Sequence, residues 1–378
     1  MKELRIIDIE APIRNGTSFG ESMQDDNPCL GSWGGLFARR LLKRYPDMDL
    51  EVWTSSGDVK QVQTLRIQGV NCRVFPNQRH LYSVVTWAMI RELRRIGKKH
   101  RICLYRSSIF DWQFILGSAL IFPKARIVAS HHGGRVPLGE SVRKRVTKKL
   151  QERSFHKLSA ATYLRREIRD WIHQASPRTK LSFLPVGASF SVYHPLDKTP
   201  CRQELGLDVD KRYAVYVGSF YRLKGVDLIL ELYNEFQDKG FEVLFVGGAE
   251  RDELFDQVKK SGCRYWAYVN WDLLQKIYSA ADFYIHPAFH PKFGGLDVTL
   301  MESLACGTPV LSPQLLEYDF DTSELGMAVS RQEEFRERFI DMMDQSGAFT
   351  RCREVAMRYL DGESSIIDRL YEVLNHQF

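Results

Sequence analysis

No run of the 378 residues is long and apolar enough to cross a bilayer. The longest apolar stretch, FILGSALIF at residues 114–122, covers about half of the ~20 positions a spanning helix needs. The opening MKELRIIDIE sets charges where a secretory signal would need an unbroken apolar core, so export is not expected. Cysteine is sparse. Seven are spread from Cys29 to Cys352, odd in number and without a C-x-x-C pair, which argues against a disulfide framework or a zinc site and for the reduced thiols of a cytosolic chain. There is no low-complexity tract and no fixed-period repeat, so disordered, fibrous and solenoid architectures drop out. No G-x-G-x-x-G follows the first strand-like segment, and G-x-x-x-x-G-K-[ST] is missing altogether. A dinucleotide oxidoreductase and a P-loop nucleotidase are thereby disfavoured.

What is there is an ordinary globular composition, 44% hydrophobic and 26% charged, in a chain long enough for two domains. The net charge of +6 hides an asymmetry. Residues 1–190 hold 33 Lys and Arg against 16 Asp and Glu, and the remainder holds 20 against 31. A basic half and an acidic half point to different partners, with the basic half facing something anionic.

Short β-branched runs alternate with amphipathic segments almost from end to end. Strands are expected at residues 4–9, from Leu50, and at 72–75, 102–106, 126–130, 159–163 and 180–186; helices lie between them, at 35–44, 81–98 and 142–155. The rhythm resumes with strands at 213–219, 242–248, 264–269, 282–287 and 309–312. This alternation predicts right-handed βαβ units and parallel sheets covered on both faces. The segment PVGASFSVYHPLDKTP (185–200) has no periodicity and reads as an interdomain linker. Two doubly wound domains are therefore expected, with a cleft between the carboxyl ends of their sheets.

The richest stretch is FGGLDVTLMESLACGTPVLS, residues 293–312. Gly294 and Gly295 precede a helix that begins near Asp297, where free amides suit phosphate. On that helix Leu300, Met301, Leu304 and Ala305 form the buried stripe. The other side, Thr299, Glu302, Ser303 and Cys306, carries one carboxylate among small residues. That pattern fits a ribose whose hydroxyls Glu302 accepts, or a partly buried helix with one capped Glu. The loop GSFYRLKG (218–225) sets Arg222 and Lys224 before a helix, where cations and amides could hold a diphosphate. GSWGG (31–35) either lines the cleft or makes a turn, after a polar segment, 15–30, that reads as an acceptor loop. HHGG (131–134) follows a strand at a carboxyl sheet end, where a histidine can bond a sugar hydroxyl. Three D-x-D triplets, at 47–49, 208–210 and 319–321, lie in predicted loops and read as chance.

Taken in order, these motifs resemble the retaining glycosyltransferases of family 4 (glycosyl transferases group 1). The resemblance spans nearly the whole chain and is most specific at GGLDVTLMESLACGTPVLS and VYVGSFYRLKGVDLIL. It implies the α/β fold called GT-B, two Rossmann-like domains facing each other across a cleft. Residues 1–190 would bind acceptor and 191–359 the nucleotide-sugar, with the final helix within 360–378 packing back on the first domain. It further implies that Glu302 binds the ribose and Lys224 the diphosphate. Gly295, Leu296, Asp297 and Val298 would contact phosphate and donor sugar, with Gly248 and Thr299 also on the donor. Gly34 and Gly35 would approach the diphosphate from the other domain. His132 would be the sugar-contacting histidine, and His131, Gly133 and Trp33 would meet acceptor. Two departures stand out. The family's first Glu falls at Gly294, and its Arg falls at Ser219, leaving Arg222 as substitute. The implied reaction is retaining transfer without metal or cofactor, in surface polysaccharide or glycoconjugate synthesis. A degenerate sugar-nucleotide-binding subunit and a nucleotide-sugar 2-epimerase are the alternatives.

The basic half has its own signal. Arg143, Lys144, Arg145, Lys148, Lys149, Arg153 and Lys157 share a segment with Val142, Val146 and Leu150 on the opposite stripe, and RELRRIGKKHR covers 91–101. Such helices suit an anionic membrane surface presenting a lipid-linked acceptor, or are simply a solvated face. A cytoplasmic protein, peripheral on the inner face of the membrane, is expected. No nucleic-acid module is recognisable.

Overall fold

A computed structural model describes residues 3–12, 33–77, 80–133, 136, 141–290 and 297–375. The chain forms two compact units, Met1–Pro185 with Ile366–Phe378, and Val186–Ser365.

Unit 1 runs β1 (Leu4–Ile9), α1 (Trp33–Arg44), β2 (Leu50–Ser56), β3 (Gln63–Ile67), β4 (Val70–Pro76), a small hairpin β5 (His80–Tyr82) and β6 (Val85–Thr86), then α2 (Trp87–Gly97). It continues with β7 (Arg101–Arg106), α3 (Trp112–Ile121), β8 (Arg126–Ser130), α4 (Val142–Phe155), β9 (Ala160–Tyr163), α5 (Arg166–Ala175) and β10 (Lys180–Phe183). The strands order as β10-β9-β8-β7-β1-β2-β4-β3, all parallel except that β3 runs antiparallel to β4. That hairpin was not expected from the sequence. β3 is almost wholly exposed, only Ile67 reaching the core, and its two-residue turn, Gln68-Gly69, takes positive φ at both positions as a type I′ turn requires. α2 shows how pattern becomes packing. Met89, Ile90, Leu93 and Ile96 turn inward at helical spacing, and the Thr86 side chain accepts the amide of Met89 to cap the first turn.

Unit 2 runs α6 (Lys198–Glu204), β11 (Arg212–Gly218), α7 (Val226–Phe236), β12 (Phe241–Gly247), α8 (Phe255–Lys260), β13 (Arg264–Trp266) and α9 (Trp271–Ala280). Then come β14 (Phe283–Ile285), α10 (Val298–Ala305), β15 (Val310–Ser312), β16 (Gly326–Ala328), α11 (Phe335–Gln345) and α12 (Cys352–Leu360). Its sheet is parallel throughout in the order β13-β12-β11-β14-β15-β16. The chain then returns to unit 1 as α13 (Ser365–Asn375), whose Ile366, Ile367, Leu370 and Leu374 join Ile6, Phe37, Val52 and Val128 in one core.

The segment read as a linker is not loose. Val186, Ala188, Phe190 and Tyr193 are buried, Ala188 exchanges backbone hydrogen bonds with Leu360 and Gly362, and the Arg353 guanidinium donates to the carbonyls of Phe190, Tyr193 and Ala305. Its lack of periodicity reflects an irregular chain held by backbone bonds rather than an unpacked one. The boundaries fall at 185/186 and 365/366.

Candidate functional site

Both sheets reverse direction beside their first strand. In unit 2 the chain builds outward from β11 through β12 and β13, then returns to place β14 on the other side of β11. Such a switch point leaves a crevice at the carboxyl ends of the two flanking strands, where ligands of doubly wound folds bind.

At that point β11 ends in Gly218 and Ser219. A short 3-10 turn, Arg222–Lys224, follows, closed by Gly225 in the left-handed region at φ 76°. Glycine is required there, since a Cβ would stand 2.3 Å from the Pro287 carbonyl oxygen. The turn brings the Lys224 ammonium back over the strand end, so that a Cβ on Gly218 would lie 3.7 Å from Nζ. At the end of β12, Gly248 sits at φ 71° with its amide on the Gly218 carbonyl, and a Cβ there would strike the Phe220 ring at 2.4 Å. The Asp252 carboxylate accepts the amides of Phe220 (2.9 Å) and Ala249 (3.1 Å), tying the two loops together. Burial works against its charge, but those bonds and one from Tyr221 hold its carboxyl below the usual range.

Across the crevice, α10 starts at Asp297. This residue does not cap the helix with its side chain. Its carboxylate turns to His286 Nε2 at 2.9 Å, and its amide donates to Gln314 Oε1. The first-turn amides of α10 are thus left without that cap, an electropositive end beside Lys224. Burial raises the Asp297 carboxyl, but the bond and charge of His286, the Lys224 charge and the Gln314 amide outweigh it and hold it low. His286 is fully buried at the end of β14, its ring near-parallel to those of Tyr216 and Tyr284. Sequence reasoning singled out neither Asp252 nor His286. Their only signal was position, each at or just after the carboxyl end of a strand.

Part of the face of α10 read as ligand-facing is packed. Ser303 and Cys306 are buried, and the Ser303 hydroxyl donates to the Thr308 carbonyl. α12 packs on α10, so a helix face can be small here for packing alone. Glu302 is 5% exposed and accepts the Tyr278 hydroxyl at 3.1 Å, whereas Thr299 keeps partial exposure beside the Tyr284 hydroxyl at 2.9 Å. Gly307, at φ 78°, ends the helix with the Thr308 amide on the Ser303 carbonyl, which explains the C-G-T-P sequence as a helix stop before β15.

Other expected residues fare differently. Arg222, expected as a substitute cation, is exposed and paired with Glu253 at 2.9 Å and Asp227 at 3.5 Å. The Ser219 carbonyl accepts the Tyr216 hydroxyl. Gly294, Gly295 and Leu296 lie outside the described residues, and Val298 is the first residue of α10.

In unit 1, Trp33, Gly34 and Gly35 are the first residues of α1, and the segment 15–30 lies outside the described residues. His131, expected to meet acceptor, is 1% exposed and its Nδ1 accepts the Leu164 amide, so it braces the β8 and β9 ends. His132 stacks on Phe37 with ring centroids 5.4 Å apart, and burial pulls its imidazole down to about 4, keeping it neutral at pH 7. Gly133 is exposed with open space around it. On α4, the stripe opposite the basic residues is largely uncovered: Val142 is 68% and Val146 51% exposed, and the helix buries Gln151, Ser154 and Phe155. The D-x-D triplets serve local turns and pairs: Asp208 and Asp321 accept amides two residues on, and Asp49 pairs with Arg5.

Comparison with known proteins points the same way. Residues 197–314 match the family described as glycosyl transferases group 1. A D-inositol 3-phosphate glycosyltransferase of Segniliparus rotundus is 29% identical over 154 residues, 38% of this chain and 34% of its own length. An uncharacterised glycosyltransferase of Methanocaldococcus jannaschii is 27% identical over 121 residues, 30% of each chain. The chain thus spans about a third of the length of the curated relatives it matches. Among solved structures, HepE of Anabaena in complex with UDP superposes with a TM-score of 0.66 at 13% identity, covering 99% of this chain and 100% of that one. Sucrose-phosphate synthase of Thermosynechococcus elongatus gives 0.63 at 13%, covering 98% of each. The fold of the chain is GT-B.

Proposed function

We propose that this chain, whose residues 197–314 match the group 1 glycosyl transferases, moves a sugar from a nucleoside-diphosphate donor to a glycan or lipid-linked saccharide acceptor. One observation carries the reading. Lys224 and the amino end of α10 converge at the switch point of unit 2, where Gly225 and Gly248 let the two loops pack tightly against Pro287 and Phe220 and hold the Lys224 ammonium over the end of β11. Such a cradle suits a diphosphate.

In this reading the acceptor oxygen bonds to the anomeric carbon as the bond to the diphosphate oxygen breaks, on the same face of the sugar. The acceptor proton passes to the departing phosphate. Lys224 and the α10 amides neutralise the charge that develops there, which is electrostatic stabilisation of the transition state without a resident metal or cofactor. Glu302 accepts the ribose hydroxyls, with the Tyr278 hydroxyl fixing its carboxylate. Neutral His132 bonds a sugar hydroxyl. An anionic membrane meets α4 through Arg143, Lys144, Lys148 and Lys149, a reading supported by the exposed Val142 and Val146 among them.

Calorimetric titration with UDP, GDP, dTDP and ADP, with NADH as control, tests the donor site. Saturable binding of one diphosphate, lost in a Glu302→Ala variant whose circular dichroism is unchanged, is the expected result. Indifference to all four diphosphates would sink the proposal.

A further inference from the structure

The second basic stretch, 91–101, has no role in the donor site, yet it borders a cavity of about 340 Å³ between the carboxyl ends of α2 and α3. The walls are apolar: Leu93, Ile102, Ile121, Phe122 and Pro123. Gly97 keeps the space open, since even a Cβ there would come within 3.3 Å of Ile102 Cδ1. The rim is cationic. Arg94, Arg101 and Lys124 line it and, among the described residues, none of these three is in an ion pair. His100 also lines it, 4.0 Å from Asp49. Leu120, one residue before Ile121, is 83% exposed at the end of α3. α3 packs on α4, where Val142, Lys144, Val146 and Lys149 are exposed in turn, so apolar tips and cations continue onto the adjoining helix.

We propose that this cavity is a lipid site, taking an acyl chain of an anionic phospholipid while Arg94, Arg101 and Lys124 hold its phosphate at the bilayer surface. The inference rests on the membrane reading above and deepens it, adding a site on α2 and α3 to the α4 surface. Charge complementarity and the apolar lining choose the occupant together. An inorganic anion would leave the walls unfilled, and an acidic protein would satisfy the rim without needing a cavity. Long cationic side chains at the rim can reach a headgroup while their stems cover apolar surface.

The test is co-sedimentation of the full chain with phosphatidylcholine vesicles, with and without phosphatidylglycerol, followed by photocrosslinking to phosphatidylglycerol that bears a diazirine on its acyl chain. The expected result is binding only to the anionic vesicles, with label in peptides containing Leu93 or residues 121–125. The double variant Arg94→Glu/Lys124→Glu, both exposed positions, should weaken vesicle binding at least about tenfold, each surface cation being worth about fivefold. Leu120→Gln should reduce it further, and nucleotide titration should be unchanged in both. Wild-type vesicle binding that ignores the rim variant, or label confined to α4, overturns the lipid site while sparing the α4 surface. Loss in the rim variant but not in Lys148→Glu/Lys149→Glu supports it and removes α4. No binding to anionic vesicles by the wild type overturns both membrane claims, and a diphosphate titration that still succeeds leaves the transferase reading standing.

Discussion

The two units share a topology and differ at the point where it matters. In unit 1 the switch point between β1 and β7 is filled by the protein itself. Arg106, 7% exposed, donates to the Ile9 carbonyl and to Asp111, lies 3.8 Å from Glu10, and Ser107 bonds Glu10 in turn. Beneath it Asp8 is fully enclosed; burial, and then the neighbouring Glu10, push its carboxyl well above the usual range. In unit 2 the equivalent strand ends carry Gly218, Gly248, Lys224 and an Asp297 that leaves its helix uncapped. The same backbone plan can spend its strand ends on internal ion pairs or keep them for a ligand. Side chains at a few positions decide which.

The comparison can be broken from both sides. Arg106→Ala should lower stability by about 3 kcal/mol, because it leaves the half-buried Glu10 and Asp111 carboxylates and the Ile9 carbonyl without their donor, while diphosphate affinity stays the same; urea melts and calorimetry read the two quantities separately. Lys224→Ala should do the reverse, leaving the melt in place and weakening diphosphate binding about a hundredfold, or about 2.7 kcal/mol. If Lys224→Ala destabilises the fold and leaves affinity alone, the contrast between the units fails. His132 sharpens the picture for unit 1. Its folded value of about 4 against an ordinary 6.5 means that the unfolded chain binds the extra proton first as pH falls. Stability should therefore decline between pH 6.5 and 4, by on the order of 1 kcal/mol per pH unit, then level off. A His132→Phe variant should show a flatter profile over that window. The smallest effect belongs to Arg222→Ala. An exposed residue paired with Glu253 should change stability by less than about 0.5 kcal/mol and affinity by less than threefold.

Much of this was legible in the chain. The βαβ rhythm placed nearly every strand of both parallel sheets, because a strand buried on both faces must be short, apolar and β-branched. β3 escaped because an exposed edge strand needs little apolar surface, and β16 because three residues, Gly326–Ala328, are too few to carry a pattern. Lys224 could be set at a strand end from the spacing of Gly218 and Gly225. Arg222 could not be oriented, since a three-residue turn points neighbouring side chains in different directions and Glu253 lies far along the chain. On α10, a stripe of small polar residues has two physical causes, a ligand or another helix, and periodicity does not separate them. Ser303 and Cys306 are buried on a helix that α12 packs against. On α4 the ambiguity ran the other way: Val142 and Val146 form a stripe whatever covers it, and here they face solvent.

The return of α13 to unit 1 sets an order of events during synthesis. Unit 2 is a continuous stretch, Val186–Ser365, and can close as soon as it has emerged. Unit 1 precedes it along the chain but lacks Ile366, Ile367, Leu370 and Leu374 until α13 has been translated. The earlier unit thus finishes after the later one, and until then the apolar surface around Phe37 and Val128 waits for a helix still inside the ribosome.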